Sequence, residues 1–206
     1  MDFKEIKKEF NSYGLLLIVV GIVINWVGAF IAQTLKLPVW LDVIGTMLVA
    51  VLSGPWTGAV AGAATNIIKW VTFDPVGGPY FVVNMAVGLL TGYLYKIGRY
   101  NKKSGIIDLL GVTVALALIS TAISAPITVY IYGGVTGGGV DLLTALFLGT
   151  STTHGLLTAV IGSELLGDIM DKAISVFLVF AIMNLLPDKY FKSETQKKSA
   201  VEKKKR

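Results

Sequence analysis

The amino-acid sequence predicts an all-α integral membrane protein with six transmembrane helices, and three observations support this prediction. Hydrophobic residues make up 54% of the 206 residues and charged residues only 15%, a balance far from that of soluble proteins. Apolar segments recur from residue 13 to residue 186, with lengths suited to a bilayer core of ~30 Å. Fifteen of the 18 basic residues lie in three clusters, at 4–8, at 96–103 and from 189 onwards. The positive-inside rule assigns all three clusters to the cytoplasm.

The candidate membrane helices are seven apolar segments, at 13–33, 37–53, 55–72, 80–98, 106–132, 141–162 and 164–186. Four crossings connect a cytoplasmic N-terminus to the basic loop around Arg99, so only two of the last three segments can cross if the tail is also cytoplasmic. Segment 141–162 is the weakest, because it follows "GGVTGGG", begins with an acid and is interrupted by the polar stretch "GTSTTHG". We expect it to fold back or to lie along the outer face without spanning.

This topology divides the chain into a cytoplasmic N-terminal segment (1–12), a six-helix membrane domain (13–186) and a basic cytoplasmic tail (187–206). The turn "LSGPWTG" joins the second and third helices, and Pro55 suits the first turn of the third. The tail is expected to be a solvated, lipid-facing end, and the placement of the charges argues against nucleic acid as a partner.

Small residues recur at helical spacing in the third and fourth predicted helices. The residues expected to pack these helices together are Gly54, Gly58, Gly62, Gly88 and Gly92. Steps of four keep such residues on one face, and small residues let helices approach closely within a membrane. We therefore expect the inner half of the bundle to be tightly packed.

Polar residues lie at the outer ends of the same helix faces: Asp42, Asn66, Lys69 and Asn84. An unpaired charge at membrane depth costs about 2.5–3.5 kcal/mol, so these groups must face each other, water or a ligand. The sequence thus predicts a polar pocket in the outer half of the bundle. Each residue also has an ordinary alternative role. Lys69 could snorkel to the interface, the two asparagines could bond helix to helix, and Asp42 could cap the second helix.

Aromatic residues surround the predicted pocket, namely Trp40, Trp70, Phe73, Tyr80, Tyr130 and Tyr132. An interfacial aromatic belt gives the same pattern. The alternative is that flat rings stack on a flat heterocyclic ligand, with amides and charges fixing its orientation. At the same level Asp168, Asp171 and Lys172 open the last predicted helix, where acids also suit a helix N-terminus. The predicted substrate-binding residues are Trp40, Asp42, Asn66, Lys69, Trp70, Tyr80, Asn84, Tyr130 and Asp168.

The sequence gives little indication of an enzyme, and we predict no catalytic residue, no cofactor and no metal ligand. There is no cysteine, and the single histidine, His154, lies among threonines as expected of a hydrogen-bonded loop residue. No glycine-rich phosphate loop precedes a lysine, so any ATP hydrolysis must come from partner subunits. The outer face carries six acids against three lysines, which favours a neutral, zwitterionic or cationic ligand over a polyanion.

The stretches "LDVIGTMLVAVLSGPWTGAVAGAATNII", "GGVTGGGVDLLTA" and "DKAISVFLVFAIMNLLP" resemble the substrate-binding S components of energy-coupling factor (ECF) transporters. The likeness covers nearly all of 13–186 and is greatest to members whose substrate is unassigned. It implies a multi-pass protein of the prokaryotic plasma membrane that captures a vitamin or related small organic micronutrient from outside. It also implies partners: a transmembrane ECF scaffold subunit and two ATPase subunits.

The chain departs from this family pattern in three places. Many S components dock to the scaffold through an Ala-x-x-x-Ala patch on the first helix, and the nearest counterpart here is Gly21, Asn25 and Ala29. The connection 133–163 is longer than the family pattern implies, and we expect it to form a lid over the pocket. Nickel and cobalt S components use an N-terminal histidine, whereas this chain begins "MDFKEI", which argues against a metal substrate.

Two other classes of function remain as alternatives. A stand-alone secondary transporter would usually show inverted repeats and broken helices, and no convincing internal repeat is present. A membrane sensor module would need a signalling domain, and the segment after Pro187 is short and highly charged.

Overall fold

The computed structural model describes residues 3–149 and 155–191, and these residues form eight α-helices and no strand. The helices are α1 (Phe3–Glu9), α2 (Ser12–Thr34), α3 (Ile44–Leu52), α4 (Pro55–Thr72), α5 (Phe81–Lys96), α6 (Ile106–Tyr130), α7 (Val140–Gly149) and α8 (Leu156–Leu185). Short 3-10 turns occupy Gly78–Tyr80 and Asp188–Tyr190. The all-helical class is thus confirmed. Within the described ranges, two helices, α2 and α6, are long and apolar enough to cross a membrane.

Four helices lie close to the positions that the hydrophobic pattern predicted: α2, α4, α5 and α6. The side-chain oxygen of Asn11 accepts a hydrogen bond from the backbone N–H of Gly14 at 2.9 Å and so caps α2. Pro55 occupies the first turn of α4, as its fixed φ favours. Gly54 precedes it with a φ of 135°, a backbone conformation that residues other than glycine rarely adopt.

The second predicted helix, 37–53, is wrong in its first half. Only Ile44–Leu52 is helical, and Leu41 in the preceding irregular segment has a φ of 52°. Asp171 explains the difference, because its Oδ1 accepts hydrogen bonds from the backbone N–H groups of Trp40 at 3.0 Å and Leu41 at 2.7 Å. Those donors need no helical partner. The N-cap residue of α3 is Val43, so the alternative role of Asp42 as a helix cap is also wrong.

The boundary predicted between 141–162 and 164–186 is wrong as well. Helix α8 begins at Leu156 and runs through Gly162 and Ser163 without interruption. Ser163 is accommodated because its hydroxyl donates to the carbonyl of Val160 at 3.0 Å and lies 2.6 Å from the hydroxyl of Thr144. The described part of α7 ends at Gly149 and α8 begins at Leu156, and His154 lies outside the described residues.

Because α8 starts early, Asp168, Asp171 and Lys172 lie in its middle and do not open a helix. The helix-N-terminus explanation for these two acids is therefore wrong. All three side chains are buried, so they face neighbouring helices and the irregular segment 35–43.

Close helix packing follows the glycine pattern. A Cβ on Gly88 would come within 2.5 Å of the backbone of Gly58 and Ala59, so α4 and α5 touch through their backbones. Gly92 lies against Pro55 in the same way. The remaining predicted packing glycines also have close neighbours: Gly58 faces Ala50 of α3, Gly62 faces the backbone of Asn84, and Gly54 faces the carboxylate of Glu9. Small residues thus bring α3, α4 and α5 into one tight unit.

The face of α2 that carries Gly21, Asn25 and Ala29 is buried in the bundle. The amide of Asn25 donates to the hydroxyls of Thr46 at 2.9 Å and Thr65 at 3.1 Å, and its oxygen accepts from the backbone N–H of Gly45 at 2.7 Å. These three hydrogen bonds of Asn25 fasten α2 to α3 and α4. This face of α2 therefore does not form an exposed docking patch.

Candidate functional site

A partly open cavity of about 130 Å³ lies between α2, α4, α5, α6 and α8, and the irregular segment 35–43 and the 136–141 region complete its wall. Its volume is similar to that of a protein cavity of roughly 150 Å³ that accepts one benzene molecule. The cavity is therefore suited to a single-ring compound.

One wall of the cavity is built around the ammonium group of Lys69. This residue is only 4% exposed, and its Nζ lies 2.6 Å from Oδ2 of Asp42 and 3.6 Å from Oδ2 of Asp74. The snorkelling alternative for Lys69 is wrong, since the ammonium points into the protein. The pair fastens α4 to the irregular segment before α3.

Two buried amides continue this wall. The amide nitrogen of Asn84 donates to Oδ1 of Asn66 at 2.6 Å and to the backbone carbonyl of Asp42 at 3.2 Å. The amide nitrogen of Asn66 donates in turn to the carbonyl of Gly77 at 3.0 Å. The asparagines do bond helix to helix, as the alternative role proposed, and they line the cavity as well.

A second lysine in the cavity wall, Lys172, belongs to the middle of α8. The Nζ of Lys172 lies 3.0 Å from Asp168 and 2.8 Å from Asp171, and it is 5.6 Å from the centre of the Trp40 ring. Thr121 of α6 donates a hydrogen bond to Asp168 at 2.7 Å. Asp171 thus fixes both this lysine and the backbone of the irregular segment.

Hydroxyl groups of α6 face the remaining carboxylate of α8. Ser124 and Thr128 both donate hydrogen bonds to Glu164. The hydroxyl of Tyr80 lies 2.7 Å from that of Thr128 and donates to it, since Thr128 spends its own proton on Glu164. Within 3–149 and 155–191, no three His, Asp or Glu side chains are placed to share a metal ion.

The glycine-rich segment before α7 closes another side of the cavity. The carboxylate of Asp141 accepts hydrogen bonds from the backbone N–H groups of Thr136 and Gly137, and Lys36 donates to the carbonyl of Gly137 at 2.8 Å. A Cβ on Gly139 would collide with the backbone of Leu37. The segment therefore rests directly on the irregular segment 35–43.

Seven of the nine predicted substrate-binding residues line this cavity: Trp40, Asp42, Asn66, Lys69, Tyr80, Asn84 and Asp168. Trp70 and Tyr130 do not line it, and their side chains are 53% and 77% exposed. Substrate contact by the seven stays a prediction, because their placement brings them together without identifying a ligand.

Sequence reasoning missed Glu164, Ser124 and Thr128 as cavity residues. The signal was present, since Glu164, Asp168 and Lys172 follow one another at steps of four. That spacing places them on one face of a continuous helix. The predicted helix start at 164 hid the pattern, because it turned these acids into helix-cap candidates.

The sequence profile of the family described as "ECF transporter, substrate-specific component" matches residues 15–183. No curated protein and no solved structure matches this chain. The matched range includes α2 through most of α8 and every residue that lines the cavity. The chain therefore belongs to the substrate-specific component family of ECF transporters.

Proposed function

We propose that this chain is the substrate-binding subunit of an ECF-type ABC importer that captures a vitamin or related small organic micronutrient from outside the cell. The observation that supports the proposal most directly is the cavity, in which aromatic rings, two amides and two lysines converge from separate elements. Concave pockets of this mixed lining are typical of small-molecule sites. No chemical step is assigned to the chain.

The proposed substrate is a compact molecule with one ring and at least one polar group. The volume of about 130 Å³ limits the size. The aromatic residues Tyr80 and Trp40 belong to the wall, and the ring of Tyr80 stacks on that of Tyr132 with centres 6.0 Å apart.

The proposed partners are an ECF scaffold subunit and two ATPase subunits, with the lipid bilayer around the helices. Apolar side chains on α2 and α6, such as Leu16 and Leu118, are exposed and suit lipid contact. Since Gly21, Asn25 and Ala29 are buried, we propose that the scaffold binds a different face of the protein.

The proposed topology has six crossings with both termini in the cytoplasm. Helix α3 has nine residues and rises about 14 Å, so the irregular segment 35–43 must complete its crossing. Non-helical backbone is tolerated at membrane depth when protein groups satisfy it, and Asp171 supplies such an acceptor. Helix α7, with ten residues, rises about 15 Å and is proposed not to cross.

A ligand screen tests substrate capture. The purified protein is heated in the presence of vitamins and their precursors, and a ligand of the native state raises the melting temperature with its concentration. Tyr80→Leu should weaken binding of the hit about tenfold or more through the lost ring contact. Tyr130→Leu is the matched control and should bind as the wild type does. Equal effects of the two substitutions would remove the cavity from the proposal.

Reconstitution tests the coupling. Proteoliposomes are prepared with the chain, an ECF scaffold and both ATPases. They should accumulate the screened ligand only when ATP is present on the side of the membrane where the ATPase subunits lie. Proteoliposomes with the chain alone should not accumulate it. Accumulation by the chain alone, driven by an ion gradient, would favour a stand-alone secondary transporter.

A further inference from the structure

We infer that the ligand of the cavity is a small organic cation whose charged nitrogen binds at Glu164. The inference rests on the proposed function, because it names the chemical class of the substrate that the cavity would take.

The cavity wall carries more negative than positive groups. Its ionisable carboxylates are Asp42, Asp74, Asp141, Glu164 and Asp168, and its ammonium groups are Lys69 and Lys172. Each lysine is already engaged by two carboxylates, Lys69 by Asp42 and Asp74, and Lys172 by Asp168 and Asp171. Neither ammonium is therefore left over for the other acids.

Glu164 is the buried acid that this arrangement leaves without a counter-charge. It is 4% exposed, and no lysine or arginine among the described residues lies within salt-bridge distance of it. Its hydrogen-bond partners are the neutral hydroxyls of Ser124 and Thr128. Asp141, by contrast, is partly exposed and accepts hydrogen bonds from the 136–137 backbone. A carboxylate buried without a cation is costly, and a bound cation removes that cost.

A second, independent observation concerns Asn84. Its amide nitrogen is fixed by two acceptors, Oδ1 of Asn66 and the carbonyl of Asp42, which determines the orientation of the amide. Its Oδ1 has no hydrogen-bond partner in the described part of the chain, although the residue is 2% exposed and lines the cavity. Buried oxygens normally accept a hydrogen bond. A ligand that carries an N–H or O–H donor would satisfy this acceptor.

These two acceptors share one cavity with the ring of Tyr80. A planar ring that carries a protonated nitrogen substituent supplies the charge for Glu164, the N–H donor for Asn84 and a face for the aromatic wall. An anionic ring compound would meet the uncompensated carboxylate and would be repelled.

A charge series of one shape tests the inference. The probes are benzamidinium, benzamide and benzoate, which share a phenyl ring and a planar substituent but differ in charge. Their affinities for the purified full chain are measured by calorimetry at neutral pH and constant ionic strength, at up to millimolar concentrations. We expect benzamidinium to bind about tenfold or more tighter than benzamide, and benzoate to bind weakest.

The variant Glu164→Gln keeps the size of the side chain and an oxygen for the hydroxyls. It should reduce the preference for benzamidinium over benzamide by about tenfold or more. Asp108→Asn is the matched control, because Asp108 is a surface acid of α6 that pairs with Arg99 away from the cavity. That control should keep the wild-type preference.

Equal wild-type affinity for benzamidinium and benzamide, tighter binding of benzoate, or no binding of any probe would overturn the inference. So would an unchanged preference in Glu164→Gln. The wild-type comparison alone decides the matter if the variant fails to fold. If a neutral or anionic vitamin competes with the probes for the cavity, the inference that the ligand is a cation is overturned. The proposed function as a substrate-binding subunit then still stands. Absence of any hit in the vitamin screen, together with absence of ATP-driven uptake, would overturn the proposed function itself.

Discussion

The ammonium nitrogen of Lys69 lies 2.6 Å from Oδ2 of Asp42, and both side chains are buried. The two residues belong to different elements, α4 and the irregular segment before α3. Their ion pair therefore holds two walls of the cavity together. We therefore expect removal of one of these charges to lower the stability of the fold, in addition to any effect on ligand binding.

The first prediction concerns this ion pair. Lys69→Met keeps an apolar stem but leaves the carboxylate of Asp42 buried without the ammonium group that pairs with it at 2.6 Å. Breaking a buried pair in this way costs about 3–5 kcal/mol of unfolding free energy. The double variant Lys69→Met/Asp42→Asn should recover a large part of that loss. Thermal or denaturant unfolding in detergent measures both.

Lys103→Met is the control for the loss of a lysine, since Lys103 is exposed in the loop after α5. Its effect should stay within about 0.5 kcal/mol. The single variant Asp42→Asn completes the cycle. If the double variant lost as much unfolding free energy as the two single variants together, Lys69 and Asp42 would not be energetically coupled.

The second prediction concerns Asp171 as the support of the irregular segment. In Asp171→Ala the part-buried backbone N–H groups of Trp40 and Leu41 lose their acceptor. The expected cost stays below the roughly 1–3 kcal/mol of a fully buried donor left unpaired, for each group. Hydrogen exchange of a peptide covering residues 37–43 should accelerate. Asp171→Asn keeps an oxygen acceptor and should have the smaller effect. Unchanged exchange in Asp171→Ala would show that other groups hold this segment.

Sequence reasoning found the α4 wall of the site and Asp168 of the α8 wall but missed Glu164, for a physical reason. In α4 the glycine series and Asn66 lie at steps of four within one uninterrupted apolar segment, so the face could be inferred directly. In α8 the polar residues fall where Gly162 and Ser163 suggested a boundary. Packing against α7 overrides that local signal, because Thr144 satisfies the hydroxyl of Ser163.

The irregular segment 35–43 was unpredictable for a related reason. Its apolar composition is typical of a membrane helix, and the sequence therefore predicts helix for residues 37–43. The acceptor that stabilises its irregular backbone, Asp171, is 131 residues away from Trp40 in sequence. Long-range side-chain acceptors of this kind leave no periodic trace in the segment they stabilise.

The third prediction concerns the contact of α4 with α5. Gly88→Ala places a methyl group within 2.5 Å of the Gly58 and Ala59 backbone, so the helices must separate. Overpacking of this kind costs about 1–3 kcal/mol. Gly111→Ala is the matched control, since no atom lies within 4 Å of its added methyl group. It should leave stability unchanged or slightly higher in thermal unfolding. Equal destabilisation by both would contradict backbone contact at Gly88.

The last prediction concerns α7 as a lid. The chain has no cysteine, so single cysteines can be labelled without background. Gly138→Cys and Gly149→Cys bracket α7, and an impermeant maleimide should label both from the outer face, because ten helical residues rise only about 15 Å. Lys103→Cys, in the basic loop, should be labelled from the inner face. Labelling of the two α7 positions from opposite faces would mean that this segment crosses the membrane. The number of crossings would then be odd, and the C-terminal tail would lie on the opposite side of the membrane from the N-terminus.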